Sequence, residues 1–216
     1  MKQILFLVFS FSFFFSSCKK KEDIRVADEL KYKADFSTDD YTWLTDSIHS
    51  VKSGPNGYYE MKQSQPNYQT WGIAPFAALN YNYSVSTDAW MWLRDDYRSG
   101  SIGIIYNYID SENYYAFYIQ NNGGFYVFKR DSKAFTTLIQ PAYSSTIKIG
   151  SGQTNHIEVR QSGSAATFLV NSVTVGSCQS SRVGVVAAGV ALGTASTAYF
   201  TPLTGDFDKI TIKKIQ

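Results

Sequence analysis

The stretch Gly103-Ile104-Ile105-Tyr106-Asn107-Tyr108-Ile109-Asp110-Ser111-Glu112-Asn113-Tyr114-Tyr115-Ala116-Phe117-Tyr118-Ile119 sets two β-branched and aromatic runs around one polar tetrad. Runs of that composition read as strands, and Asp-Ser-Glu-Asn reads as the turn between them. Residues 101–109 and 114–120 are therefore expected to form a hairpin. Next comes Asn121-Asn122-Gly123-Gly124, whose glycines can adopt the positive φ that a tight turn needs, and a third run over residues 124–130. Upstream, residues 82–95 alternate strictly. Tyr83, Val85, Thr87, Ala89, Met91 and Leu93 fall on one side, and Ser84, Ser86, Asp88, Trp90, Trp92 and Arg94 on the other.

Further strands are expected over residues 146–149, 156–161, 165–170, 173–175, 183–188 and 208–213, punctuated by Gly163, Asn171-Ser172 and Gly205. No long amphipathic helix, internal repeat or break in composition interrupts this pattern. The chain is expected to be all-β, an antiparallel sandwich or barrel. The uncharged stretch 183–200 reaches the lower length of a membrane span. Gly184, Gly189 and Gly193 interrupt it and Thr194, Ser196 and Thr197 make its second half polar, so it reads as two strands around a loop.

The N-terminus has a different composition. Met1-Lys2-Gln3 opens with positive charge, and residues 4–15 are apolar except for Ser10 and Ser12. This run is too short to span a bilayer but suits the hydrophobic region of a secretory signal. Ser16-Ser17-Cys18 follows, and then Lys19-Lys20-Lys21-Glu22-Asp23. Six of the 15 Phe lie before Cys18, whereas all 16 Tyr lie after it. With 20 basic and 18 acidic residues, the net charge of +2 gives no ground for a nucleic-acid partner. Two cysteines cannot staple a disulfide scaffold.

The segment ending at Cys18 resembles a bacterial lipoprotein signal, most closely the Bacteroidetes style, with Phe15 where an aliphatic residue is usual. The resemblance implies cleavage before Cys18, lipid on Cys18 and anchorage at the outer membrane, with the face undecided. On this reading residues 1–17 are a signal peptide. Residues 18–34 are a charged tether with a short helix around 26–32, and residues 35–216 are the folded domain. Cys178 is then left without a partner in the chain and reads as a small buried hydrophobe.

The 103–119 hairpin resembles the central hairpin of concanavalin A-like jelly-roll domains: a glycine-led apolar strand, an Asp-containing turn, then Asn-Tyr-Tyr-x-Phe. Later elements follow a similar order, from Gly124-Phe125-Tyr126-Val127-Phe128-Lys129 to the closing Phe207-Asp208-Lys209-Ile210-Thr211-Ile212. The resemblance implies a two-sheet antiparallel jelly roll over residues 35–215 and is nearly silent on activity.

Retaining glucanases of that superfamily carry a Glu-x-Asp-x-x-Glu strand, because two carboxyl groups must flank the scissile bond. The glutamates here are Glu22, Glu29, Glu60, Glu112 and Glu158, and none has that spacing. Asp206 and Asp208 form the best same-face acidic pair. Asp110 with Glu112 suits a turn, and no compact ligand cluster supports calcium or another cofactor. Neither His49 nor His156 has a recognisable nucleophile context.

Aromatic faces beside polar donors suit saccharides, which offer C–H faces and hydroxyls together. The expected ligand-binding set is Trp90, Trp92, Tyr106, Tyr108, Tyr114 and Tyr118, with Asp88, Arg94 and Asn107 as hydrogen-bonding partners. The expected partner is an oligo- or polysaccharide, and the membrane is reached through the N-terminal lipid. An envelope protein is the alternative partner: exposed aromatics also mark protein-interaction surfaces.

Overall fold

The computed structural model describes residues 28–38, 42–76, 79–80, 82–93, 100–181, 184–194 and 202–216. Among these are fourteen strands and no helix: β1 (Glu29–Ala34), β2 (His49–Lys52), β3 (Tyr58–Gln63), β4 (Gln69–Ile73), β5 (Tyr83–Trp92), β6 (Gly100–Asp110), β7 (Asn113–Gln120), β8 (Gly124–Asp131), β9 (Ala134–Tyr143), β10 (Asn155–Ser162), β11 (Ala165–Val170), β12 (Val173–Gln179), β13 (Ala187–Thr194) and β14 (Leu203–Lys214). They form two antiparallel sheets. The eight-stranded sheet runs β12-β11-β10-β5-β14-β3-β2, and β1 pairs with the second half of β14 where β3 pairs with the first. The six-stranded sheet runs β4-β13-β6-β7-β8-β9.

The alternation of β5 decides which side meets the partner sheet. Tyr83, Val85, Ala89 and Met91 join Ile102, Ile104, Phe117, Ile119, Val127, Phe168, Val190, Leu192 and Phe207 in one continuous core. Each large side chain buried there contributes about 1.5–3 kcal/mol relative to exposure. Trp43 seals the core ahead of β2: its indole N–H donates to the Tyr32 hydroxyl at 2.8 Å and its ring lies 4.8 Å from that of Tyr59.

A buried polar bridge joins the sheets at one end. The Asn107 amide donates to Gln161 Oε1 at 3.1 Å and Ser180 Oγ at 3.0 Å, and its oxygen accepts from the Tyr83 hydroxyl at 2.8 Å. Every polar atom of that amide is thus used inside the protein, which is what burial of an amide demands.

Four expectations need correction. Residues 29–34, assigned to the tether and partly to a short helix, form β1, because Tyr32 and Ala34 pack inward along a free edge of β14, while Leu30, across a shift in register, stays exposed. Residues 146–149 are not a strand. The Asn155 side chain takes both backbone groups of Lys148, at 2.8 and 3.1 Å, and so replaces a ladder while Ile147 plugs the core. The strand expected over 183–188 starts at Ala187 and continues to Thr194, passing straight through Gly189 where a loop was expected. A Cβ on Gly189 would lie 2.1 Å from the Gly72 carbonyl oxygen, so this glycine marks close strand approach rather than a turn.

The fourth correction concerns β6. Asn107 has φ +47° and the register shifts there against both neighbouring strands. This bulge turns Tyr106 into the core and Tyr108 to the opposite side of the sheet, although they stand two residues apart.

Candidate functional site

The expected binding residues do not meet. Trp90, Trp92 and Asp88 lie on the outer side of the eight-stranded sheet, Tyr108, Tyr114 and Tyr118 on the outer side of the six-stranded sheet. Tyr106 is fully buried between the sheets and packs on Phe168 and Tyr115. Asn107 is consumed by the polar bridge. Neither of these two offers a free side chain to a ligand, and Arg94 and Cys18 lie outside the described residues.

The outer side of the six-stranded sheet carries the better-formed site. Its register places Gln69, Gly193, Ser101 and Gln120 in one row, and Trp71, Ala191, Gly103, Tyr118 and Tyr126 in the next. The two middle strands thus present glycine, alanine and serine, whereas the flanking strands present aromatics. Side-chain size alone makes a trough. Its cavity is about 460 Å³, lined by Gln69, Trp71, Tyr114, Tyr126, Arg130 and Phe135, with Gly193 and Thr194 completing it at one side. That volume suits a small molecule or a few sugar units.

The walls are held in place by ring contacts. Trp71 lies 5.3 Å from Tyr114, and Tyr118 stacks between Tyr126 at 5.4 Å and Phe128 at 6.0 Å. The Tyr114 hydroxyl donates to Gln69 Oε1 at 3.3 Å and that of Tyr126 to Ser101 Oγ at 3.2 Å. Tyr118 is fully buried beneath this layer with its hydroxyl unpartnered; burial first, then Tyr126 and Tyr114, pushes its pKa well up. Tyr118 is therefore wall support rather than a stacking platform. Arg130 extends over Phe135, its guanidinium carbon 5.3 Å from the ring centroid.

The opposite face also holds an open cavity, about 510 Å³, lined by Ser84, Ser86, Asp88, His156, Lys209 and Thr211; neither Trp90 nor Trp92 lines it. Trp90 is half-buried and packs edge-on against Tyr58. Trp92 is 54% exposed, but its N–H donates to Asp206 Oδ2 at 2.6 Å. Asp206 pairs in register with Glu60 on β3 and Trp90 on β5, is almost wholly buried, and leaves Oδ1 without a partner. Burial raises its pKa to about 6, and Glu60 adds to the shift. Asp88 is taken by His156 Nδ1 at 2.7 Å and Lys209 Nζ at 2.9 Å. Burial raises the Asp88 pKa, but those two partners outweigh it and the net shift is downward.

Three other candidates resolve into structural parts. His49 lies between Asp46 Oδ1 at 2.9 Å and Thr70 Oγ1 at 2.7 Å. Both His49 and Thr70 are buried where β2 of one sheet meets β4 of the other, so the chain of contacts pins the sheets together. The Asp110 carboxylate accepts from the Glu112 N–H and the Asn113 amide, which closes the β6–β7 turn. Cys178 is half-buried against the core, and burial pushes its thiol up.

The sequence reading missed Trp71, Tyr126, Arg130 and Phe135. The available signal was short: Gln69-Thr70-Trp71-Gly72-Ile73 alternates, with Gln69, Trp71 and Ile73 facing outward.

No protein-family model matches the chain, and no curated protein matches it in sequence. Solved structures do resemble it. The carbohydrate-binding module CBM66 of Bacillus subtilis superposes with a TM-score of 0.60 at 11% identity, over 80% of this chain and 96% of that one. The VIP36 exoplasmic/lumenal domain, in a form bound to Ca2+ and Man3GlcNAc, gives 0.62 at 9% identity over 87% and 91%. The Emp47p carbohydrate recognition domain gives 0.58 at 12% over 86% and 97%. At these identities the likeness concerns the fold. With its two antiparallel sheets in this order, the chain has the lectin-type jelly-roll fold of concanavalin A-like domains.

Proposed function

We propose that this protein is a non-catalytic, lipid-anchored glycan-binding domain of the cell envelope, and that its saccharide lies in the trough on the six-stranded sheet. The observation that carries the reading is the pairing of a small-residue floor at Gly193 with aromatic walls at Trp71, Tyr114 and Tyr126. A sugar ring can lower its C–H face onto Trp71 while its hydroxyls reach Gln69, Thr194 and the tyrosine hydroxyls. Carbohydrate-binding neighbours of the same fold support the ligand class. Trp92, the most exposed tryptophan of the opposite face, has its one donor engaged by Asp206.

The test is a glycan panel probed with wild type, Trp71→Ala and Trp92→Ala. Trp71→Ala should weaken binding at least tenfold, about 1.4 kcal/mol, with Trp92→Ala close to wild type. Loss confined to Trp92→Ala would move the site to the other sheet. A wild type that binds no glycan would favour a protein-interaction role. The anchor is tested separately: a fatty-acid analogue should label the full-length protein in its native envelope and not the Cys18→Ser variant, and equal labelling would refute lipidation at Cys18.

A further inference from the structure

Among the described residues lining the trough, Arg130 alone carries a formal charge; its neighbours there are Asn, Tyr, Gln, Trp, Phe, Gly and Thr. It stands on β8 directly across from Tyr114 on β7 and Phe135 on β9, so strand register fixes its base at the trough wall. Its guanidinium carbon lies over the Phe135 ring, 5.3 Å from the centroid. Its Nε is buried and has no hydrogen-bond partner, and no ion pair to Arg130 is formed among the described residues. Of the nearby acids, Asp110 feels the Arg130 charge at longer range, and both are bonded elsewhere. Asp110 accepts from Glu112 and Asn113, and Asp131 is paired with Lys129 at 3.0 Å.

A half-buried guanidinium beside an aromatic ring, with its Nε unpartnered, is an arrangement that a carboxylate completes. The planar fork offers two parallel N–H donors, and such pairs are roughly twice as strong as neutral hydrogen bonds. Resting on the glycan-binding reading above, we infer that the ligand is an acidic saccharide, a uronic-acid-bearing glycan whose carboxylate pairs with Arg130 while its ring stacks toward Trp71. Tyr114 contributes to the same pocket. Burial raises its pKa and Arg130 partly offsets the rise, so a neutral hydroxyl remains beside the cation.

The experiment compares oligogalacturonate with its methyl ester, which keeps the ring and removes the charge, for wild type, Arg130→Gln, Arg130→Lys and Lys213→Gln. Lys213 lies on the other sheet and controls for net charge. Wild type should bind the acid at least tenfold more tightly than the ester. Arg130→Gln should erase that preference, Arg130→Lys should keep part of it, and Lys213→Gln should keep all of it, each with an unchanged melting temperature. Dextran sulfate against dextran forms a further arm. A preference for the sulfate that also survives Arg130→Gln would show general electrostatic attraction and overturn the inference. Equal binding of acid and ester, or an acid preference that survives Arg130→Gln, would also overturn it. Binding only to neutral glycans would defeat the inference and leave the glycan-binding reading standing, whereas no binding to any glycan would defeat that reading itself.

Discussion

Asp206 shows how one residue can look catalytic in sequence and act otherwise in place. It is half of the best same-face acidic pair, yet it lies beneath Trp90 and Trp92 with one oxygen bonded to an indole and the other unpartnered. Burial lifts its pKa from 3.8 to about 6, so the native state binds its proton more tightly than the unfolded chain. The stability this gives is complete below about pH 3.8 and is lost as pH rises through 6. Asp206→Asn should therefore stabilise the protein at pH 7.5, by about 1–3 kcal/mol relative to wild type, and the difference should shrink at pH 4. Denaturant unfolding of both proteins at the two pH values measures it; a variant less stable at pH 7.5 than at pH 4, relative to wild type, would contradict the assignment. Asn107 carries the companion lesson. Its sequence context allowed a ligand donor, but only the fold reveals that Tyr83, Gln161 and Ser180 already claim its amide.

At the scale of elements, strand periodicity was readable wherever one face is apolar and the turn has a recognisable composition. β5, β7, β8, β10 and β11 appear close to their expected bounds. The missed strands have physical reasons. β9 follows a turn in which Ser132 and Lys133 take positive φ without any glycine to signal it, and Pro141 lies within the strand, which β9 tolerates because it is an edge. β2 and β4 have only four and five residues, too few for alternation to stand out. The site was half legible for a related reason. Tyr114 was recognisable, but the trough depends on which strands are neighbours: Trp71 on β4 faces Tyr118 on β7 across β13 and β6, a pairing that no local pattern encodes. The small residues of β13 are the part that makes space. A Cβ on Gly193 would find only ordinary contacts, 3.6 Å or more from Tyr118, Ser101 and Gln69. Gly193→Val should accordingly fold with an equal or higher melting temperature, since valine suits a strand better than glycine, and should still lose glycan binding at least tenfold by filling the floor. Unimpaired binding by this variant would place the ligand elsewhere.

At the scale of the whole molecule, the two outer faces divide the aromatic wealth of the chain unequally. The eight-stranded sheet spends its tryptophans and acids on one another, through Trp92–Asp206, Trp90–Tyr58 and Asp88–His156–Lys209. The six-stranded sheet keeps an open trough with one arginine in its wall. The four tryptophans are distributed so that they report on this division: Trp43 in the core, Trp71 in the trough, and Trp90 and Trp92 on the opposite face. In a 15N-labelled sample their four indole N–H resonances can be followed individually during titration with oligogalacturonate. The Trp71 indole should show a saturable shift, with the other three unmoved. Movement of Trp90 or Trp92 while Trp71 stays in place would contradict a site in the trough.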